Sequence, residues 1–218
     1  MEVSEAVHSR QSIRAFTDQE VPDNLIKELL EKSARAASGG NLQPWKIFII
    51  NNSTMLKFLK FQEEWTDPET PAYGIYPENL TEPYKTSRYE VGAQMYSILG
   101  IGREDKEGRF KQMLENFKFF GAPSAFFCFV DRQMGRPQWS DLGMFLQTFM
   151  LLAREAGLDT CPQEAWAIKQ ESVTSFVKAP DELMLFCGMA IGYKDKSAKI
   201  NELRTERRPF EDWATFVD

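Results

Sequence analysis

Histidine is almost missing from this chain. His8 is the only one in 218 residues, so no multi-histidine metal site can form. Ser-His-Asp chemistry has one available base, beside the N-terminus. Cysteine is sparse as well. Cys128, Cys161 and Cys187 show no CxxC spacing, and an odd, scattered set fits a reducing cytoplasm better than a disulfide framework. The opening MEVSEAVHSRQ lacks the apolar core of a signal peptide. The most apolar stretch, Met144 to Ala153, is too short for a bilayer and contains Gln147. Basic charge is in deficit: 26 Lys and Arg against 32 Asp and Glu leave a net charge of −6. No helix carries a basic stripe, which argues against a nucleic-acid partner. No GxGxxG follows a strand, so a Rossmann dinucleotide site is unsupported.

What is present is an ordinary globular composition, 43% hydrophobic and 27% charged, long enough for a sizeable core in a single domain over residues 1–218. Leu25, Ile26, Leu29, Leu30 and Ala34 recur at helical spacing behind Pro22, so residues 23–36 read as an amphipathic helix. Short helices are expected at 3–10 and 53–61, others at 86–99 and 105–119, and the strongest at 139–156, closed by Gly157. Apolar runs at 46–50, 125–130 and 184–192 read as strands. Periodicity fails from Trp65 to Tyr84, where Pro68, Pro71, Pro77 and Pro83 interrupt a segment rich in large aromatics. Such a segment reads as a lid or binding loop. Residues 193–218 form a tail with Arg204, Arg207 and Arg208 ahead of the apolar Trp213 and Phe216. It must dock on its own core or on a partner. Few strands, far apart, separated by several helices, make this an α+β chain.

Four stretches could carry chemistry. Arg10, Ser12 and Arg14 alternate, and in an extended strand they share a face. Two guanidinium groups and a hydroxyl there suit an anion, though a surface strand with solvated arginines has the same pattern. Ala37-Ser38-Gly39-Gly40-Asn41-Leu42-Gln43, before Pro44-Trp45, is almost bare of side chains. Its backbone amides could face a flat polar ring or a phosphate, or it is a plain helix-to-strand turn. Cys161-Pro162-Gln163-Glu164-Ala165 follows the long helix, where amides beyond Pro162 are free to donate; the alternative is a loop leading into another helix. The segment Leu203 to Pro209 brings further cations, which serve the same anion or are merely solvated.

Taken in order, these stretches resemble the FMN-dependent nitroreductases along essentially the whole chain. The family's R-x-S-x-R-x-F is matched by Arg10, Ser12, Arg14 and Phe16. Its P-S-x-x-N-x-Q-P-W loop is matched by Ser38, Asn41, Gln43, Pro44 and Trp45, with Ala37 standing where proline is usual. Pro162 and Glu164 fit a P-x-E element, and Arg207 with Pro209 fits a C-terminal arginine two residues before proline. Thr205 stands where some relatives carry a lysine. The stretches DLGMFLQTFMLLAREAGLDTCPQEAW and NFKFFGAP are similar to the 4-nitrobenzoate reductase branch in particular.

The resemblance implies a nitroreductase-like fold, a mostly antiparallel sheet flanked by helices. It also implies an interlocked homodimer with exchanged tails and FMN at the subunit interface. By similarity, Arg10, Ser12 and Arg207 hold the phosphate, with Gln11 beside them, and Arg14 reaches the polar pyrimidine edge. Pro162, Gln163, Glu164 and Ala165 lie beside the flavin's reactive edge, where an amide near Glu164 donates to N5. Ala37, Ser38, Gly39, Asn41 and Gln43 come from the other subunit. The implied reaction is ping-pong: NADH or NADPH reduces the flavin and leaves, then a nitroaromatic or quinone takes the electrons. No side chain acts as nucleophile or metal ligand; the cofactor carries the chemistry. Two rivals share these residues: another flavin reaction on the same scaffold, such as a dehalogenase or dehydrogenase, and a flavin-binding module without turnover.

Overall fold

The computed structural model describes residues 1–217. Its strands are β1 (Lys46–Asn51), β2 (Ser124–Asp131), β3 (Asp159–Gln163) and β4 (Leu183–Gly192), arranged β1-β2-β4-β3 in one antiparallel sheet. The helices are α1 (Val3–Ser9), α2 (Asp23–Ser33), α3 (Ser53–Glu64), α4 (Tyr84–Leu99), α5 (Lys106–Leu114), α6 (Arg136–Glu155) and α7 (Gln170–Val177). This is the expected α+β arrangement, a mostly antiparallel sheet between helices.

Period two along β2 explains its unbroken apolar run. Ala125, Phe127 and Phe129 enter one core with Phe58, Phe119 and Trp166. Phe126, Cys128 and Val130 enter the other, with Ile26 and Leu29 of α2 and Leu142, Phe145 and Phe149 of α6. Helices cover both faces, so no residue from Ser124 to Val130 meets water. The pairing of β2 with β4 slips between Cys128 and Phe129: Cys128 pairs with Cys187 but Phe129 pairs with Leu185. Phe186 is the extra residue of a bulge. Leu183 and Leu185 therefore face the first core, while Cys187, Met189 and Ile191 face the second.

Two expectations need correction. The stretch from Asp159 to Gln163 is a strand, not a loop after the long helix. It lies at the sheet edge, where the missing N–H of Pro162 costs no ladder bond. The helix expected over 105–119 ends at Leu114. A tight turn follows over Glu115–Gly121, inside which Phe119 and Phe120 take φ of 50° and 55°. Both are buried, and core packing holds them in a region that large side chains otherwise avoid.

The aromatic segment before α4 is fastened over its first half. Ala72 N donates to Ala167 O at 2.8 Å, and the Tyr73 hydroxyl donates to the bulge carbonyl of Phe186. Glu69 Oε2 accepts from Glu171 N and Ser172 N at 3.0 and 3.3 Å, capping α7. Helix α4 is the opposite case: none of its 16 residues is buried.

Candidate functional site

Helix α1 stops at Ser9, and Arg10 turns extended at φ −63°, ψ 130°. From there the chain runs beside edge strand β3. Ile13 N donates to Thr160 O at 3.0 Å, and Ser12 bridges Thr160. Ile13 is wholly buried, so alternation sends its neighbours Ser12 and Arg14 the other way. They line a cavity of about 610 Å³ with Arg10, Gln11, Arg204 and Arg207. The alternation read from the sequence is real, and the tail's arginine closes the same space.

Buried Asn201 joins the two ends of the chain. Its Oδ1 accepts from Arg14 N at 2.8 Å, its Nδ2 donates to Ala15 O at 2.7 Å, and its carbonyl accepts from Gln11 Nε2 at 2.9 Å. Nothing in the sequence marks this asparagine. Arg204, only a candidate by sequence, enters the cavity and donates to His8 O at 2.6 Å. Arg207 donates to Thr205 Oγ1 at 2.9 Å and to the carbonyls of Thr205 and Glu206 at 3.0 and 2.9 Å. Gln147 of α6 also lines the cavity. A polar break in an apolar helix face was the one available signal for it.

The cavity's charge is one-sided. Arg10, Arg14, Arg204 and Arg207 line it with no carboxylate, in a chain of net charge −6. Burial lowers the pKa of Arg10, and the neighbouring Arg207 and Arg204 lower it further. Such mutual repulsion is relieved by an anion carrying several acceptor oxygens. The Cys161 thiol lies within the field of Arg14, but burial outweighs that and pushes it up to about 11. It stays protonated at neutral pH and is no nucleophile.

Pro162 follows Cys161 on β3, and Glu164 opens a tight helical turn over Glu164–Lys169. Glu164 is exposed and Ala165 partly so. The Gln163 side chain is buried; its Nε2 donates to Asn116 O at 2.7 Å, and its Oε1 has no hydrogen-bond partner. None of Gln163, Glu164 and Ala165 lines the arginine cavity.

The bare loop stands apart. None of Ala37, Ser38, Gly39, Asn41 and Gln43 lines the cavity of the same chain. Gly40, Asn41 and Gln43 hold positive φ of 58°, 57° and 50°, and Gln43 N donates to Ser38 Oγ at 3.1 Å. The loop is anchored at both ends on α6. Gly39 N donates to both oxygens of buried Asp141 at 3.3 Å, and Trp45 stacks on Phe145 at 4.9 Å. Asp141 and Phe145 are one helical turn apart, on one face. Replacing Asp141 with alanine leaves the Gly39 amide without its acceptor and should cost about 1–3 kcal/mol of stability. Asparagine, which keeps one oxygen, should cost less. Urea midpoints of the two variants check this; equal losses would mean that the carboxylate anchors nothing.

Among the described residues no cluster of His, Cys, Asp and Glu could hold a metal ion, and no helix is long and apolar enough to cross a membrane. The three cysteines are free and buried.

Similarity to known proteins agrees with this geometry. The family model described as "Nitroreductase family" matches residues 7–193. A chloronitrobenzene nitroreductase of Comamonas testosteroni is 31% identical over 219 residues, covering 99% of this chain and 96% of the relative. A 4-nitrobenzoate reductase of Pseudomonas putida is 32% identical, covering 97% and 93%. Among solved structures, the FMN and NADPH-dependent nitroreductase NfnB from Sphigopyxis sp. strain HMH superposes with a TM-score of 0.94 at 38% identity, over 100% of both chains. With the motifs in order from Arg10 to Pro209 and the match running through β4, this chain belongs to the nitroreductase family.

Proposed function

We propose that the protein is an FMN-dependent oxidoreductase passing electrons from NADH or NADPH to nitroaromatics or quinones. The observation that carries this reading is the carboxylate-free arginine cavity beside edge strand β3. The residues fit a flavin phosphate: four guanidinium groups, with the hydroxyls of Ser12 and Thr205, surround one space. Thr205 supplies a hydroxyl where a lysine is common, and Arg204 supplies the second tail cation. Arg10, Ser12 and Arg207 hold the phosphate, with Gln11 alongside. Arg14 reaches the polar edge of the ring system, where a cation favours the reduced, negatively charged state. Pro162, Glu164 and Ala165, with the backbone of Gln163, border the reactive edge. When bound, FMN supplies two-electron transfer between nicotinamide and acceptor; the protein binds, orients and tunes it.

The chain acts as a homodimer in the cytoplasm, one nitroreductase-like unit over residues 1–218. Three observations support the dimer: α4 has no buried residue, Phe210, Trp213 and Phe216 of the tail are exposed at 44%, 64% and 84%, and no residue of the loop from Ala37 to Gln43 lines its own chain's cavity. In the dimer this loop meets the flavin held by the other subunit. Sedimentation at micromolar concentration should give twice the chain mass. A monomer retaining FMN contradicts the interface. The activity is tested by anaerobic mixing of the yellow protein with NADH or NADPH: the flavin should bleach and recover its colour on adding a nitroaromatic or quinone. A flavin that neither nicotinamide bleaches would leave only a binding module.

A further inference from the structure

Asn201 is 2% exposed, and each of its polar atoms has a partner. Its side-chain oxygen accepts from Arg14 N at 2.8 Å. Its side-chain nitrogen donates to Ala15 O at 2.7 Å and to Asp195 O at 2.9 Å. Its carbonyl accepts from Gln11 Nε2 at 2.9 Å and from Lys194 Nζ at 3.0 Å, and its N–H donates to Ala198 O at 3.0 Å. Buried Ile200 and Leu203 fasten the short turn on either side of it. So complete a set of bonds on one buried asparagine ties its position to that of all its partners.

Its side chain stands in for a piece of main chain. The segment after Ser12 is stitched to its surroundings by backbone bonds: Ile13 N to Thr160 O, Phe16 N to Phe120 O and Thr17 N to Tyr193 O. Arg14 N finds the Asn201 amide instead, and Ala15 O accepts from that amide as well as from Asp195 N. Only asparagine and glutamine carry a carbonyl acceptor and an N–H donor on one planar group, as a peptide does. Aspartate keeps the acceptor and loses the donor; glutamine holds its amide one methylene further out. The tail is bound back in turn. Gln11 Oε1 accepts from Arg204 Nη1 at 3.5 Å, and Arg204 Nη2 donates to His8 O at 2.6 Å. Arg14 Nη1 donates to Ser12 O at 3.3 Å, so a shift of this backbone carries the guanidinium with it.

We infer that Asn201 is a positioning residue for the flavin: it holds the segment carrying Arg10, Ser12 and Arg14 in register with the tail carrying Arg204 and Arg207. The inference rests on the proposed FMN site. Asn201 does not itself line the cavity, so it acts through the residues it ties together. FMN carries its phosphate at one end and its pyrimidine edge at the other. A site for both ends needs its cations at a fixed separation, and packed, hydrogen-bonded neighbours supply that. Without the Asn201 amide the tail arginines lose their register with Arg10, which weakens the hold on phosphate. Arg14 also loses the acceptor for its N–H, and its cation no longer sits where it favours the reduced ring.

Holoenzyme equilibrated with an equimolar mixture of FMN and riboflavin, then freed of unbound flavin, tests this without turnover. In Asn201→Ala and Asn201→Asp the bound ratio of FMN to riboflavin should fall about tenfold or more, the worth of one charged hydrogen bond. A dye titration should show the midpoint potential of the bound flavin becoming more negative. Asn201→Ser keeps a hydroxyl on a shorter reach and should shift both readings the same way by less, which decides the matter if the larger changes do not fold. Leu29→Ala opens a hole beneath α2 and touches no wall of the arginine cavity. It should lower the urea midpoint and leave ratio and potential at their wild-type values. An unchanged ratio or an unchanged potential in the Asn201 variants, or the same changes in Leu29→Ala, overturns the inference. A wild type that holds neither flavin overturns the proposed function and this inference together. If the wild type holds FMN that neither nicotinamide reduces, the oxidoreductase reading fails alone, and the bound ratio still decides the role of Asn201.

Discussion

Replacing Arg10 with alanine is expected to weaken FMN binding by about ten- to a hundredfold while leaving riboflavin, which has no phosphate, almost unaffected. A hydrogen bond to a charged group contributes roughly 1.5–3 kcal/mol, and 1.4 kcal/mol is tenfold in affinity. Arg10 is partly buried, and Arg204 and Arg207 are near enough to lower its pKa together with burial. A bound phosphate therefore does two things: it accepts from Arg10, and it screens three cations from one another. Removing Arg10 loses the first effect and makes the second less necessary, which is why the loss stops short of abolition. The same logic sets a pH dependence. The second phosphate ionisation lies near 6, so below about pH 6 the anion loses charge and FMN affinity should fall, whereas riboflavin affinity should not. Titrations followed by flavin fluorescence check both statements. Equal losses for FMN and riboflavin in the Arg10 variant would remove the phosphate from this cavity.

Trp166→Ala is expected to cost about 3–5 kcal/mol of folding stability, in the range for a fully buried large aromatic. Trp166 is wholly buried. Its ring lies 4.7 Å from that of Phe119 in a stack, and 5.2–5.4 Å from Phe117, Phe127 and Phe58. It fills its site so closely that a Cβ on Gly188 would stand 2.3 Å from its Cδ1. Gly188→Ala should then cost about 1–3 kcal/mol by overpacking. In the Trp166→Ala background the same glycine change should cost little, because the clashing ring is gone and neighbouring sites do not add. Urea unfolding of the two single variants and the double variant measures this coupling. Additive losses would mean that Gly188 is needed for some other reason. The consequence reaches the site, since Trp166 closes the stretch Pro162 to Ala165, and its core contacts fix where that backbone lies.

Patterns that depend on neighbours along the chain were legible in the sequence. The alternation of Arg10, Ser12 and Arg14, the helical period of α2 and α6, and the apolar runs of β1, β2 and β4 all report local geometry, and the structure has them. The near-bare loop after α2 and the acidic balance, which argued against nucleic acid, were equally plain. The structure alone decided what depends on contact across space. Strand β3 was hidden because Pro162 reads as a breaker, and only its edge position in the sheet makes a proline acceptable there. The bulge at Phe186 redirects half of β4 to the second core, yet a two-for-one pairing has no signature in one strand alone. Asn201 and Arg204 look like any polar residues of an irregular tail until the tail folds back on the segment from Arg10 to Arg14. The cations Lys85, Arg88, Arg103 and Arg109 are scattered over 25 positions, and line one cavity between α4 and α5 only when a helix and a turn face each other. Side-chain period is set by backbone geometry within an element, so a sequence carries it. Which elements meet is set by burial of both sheet faces at once, and that is a property of the whole chain.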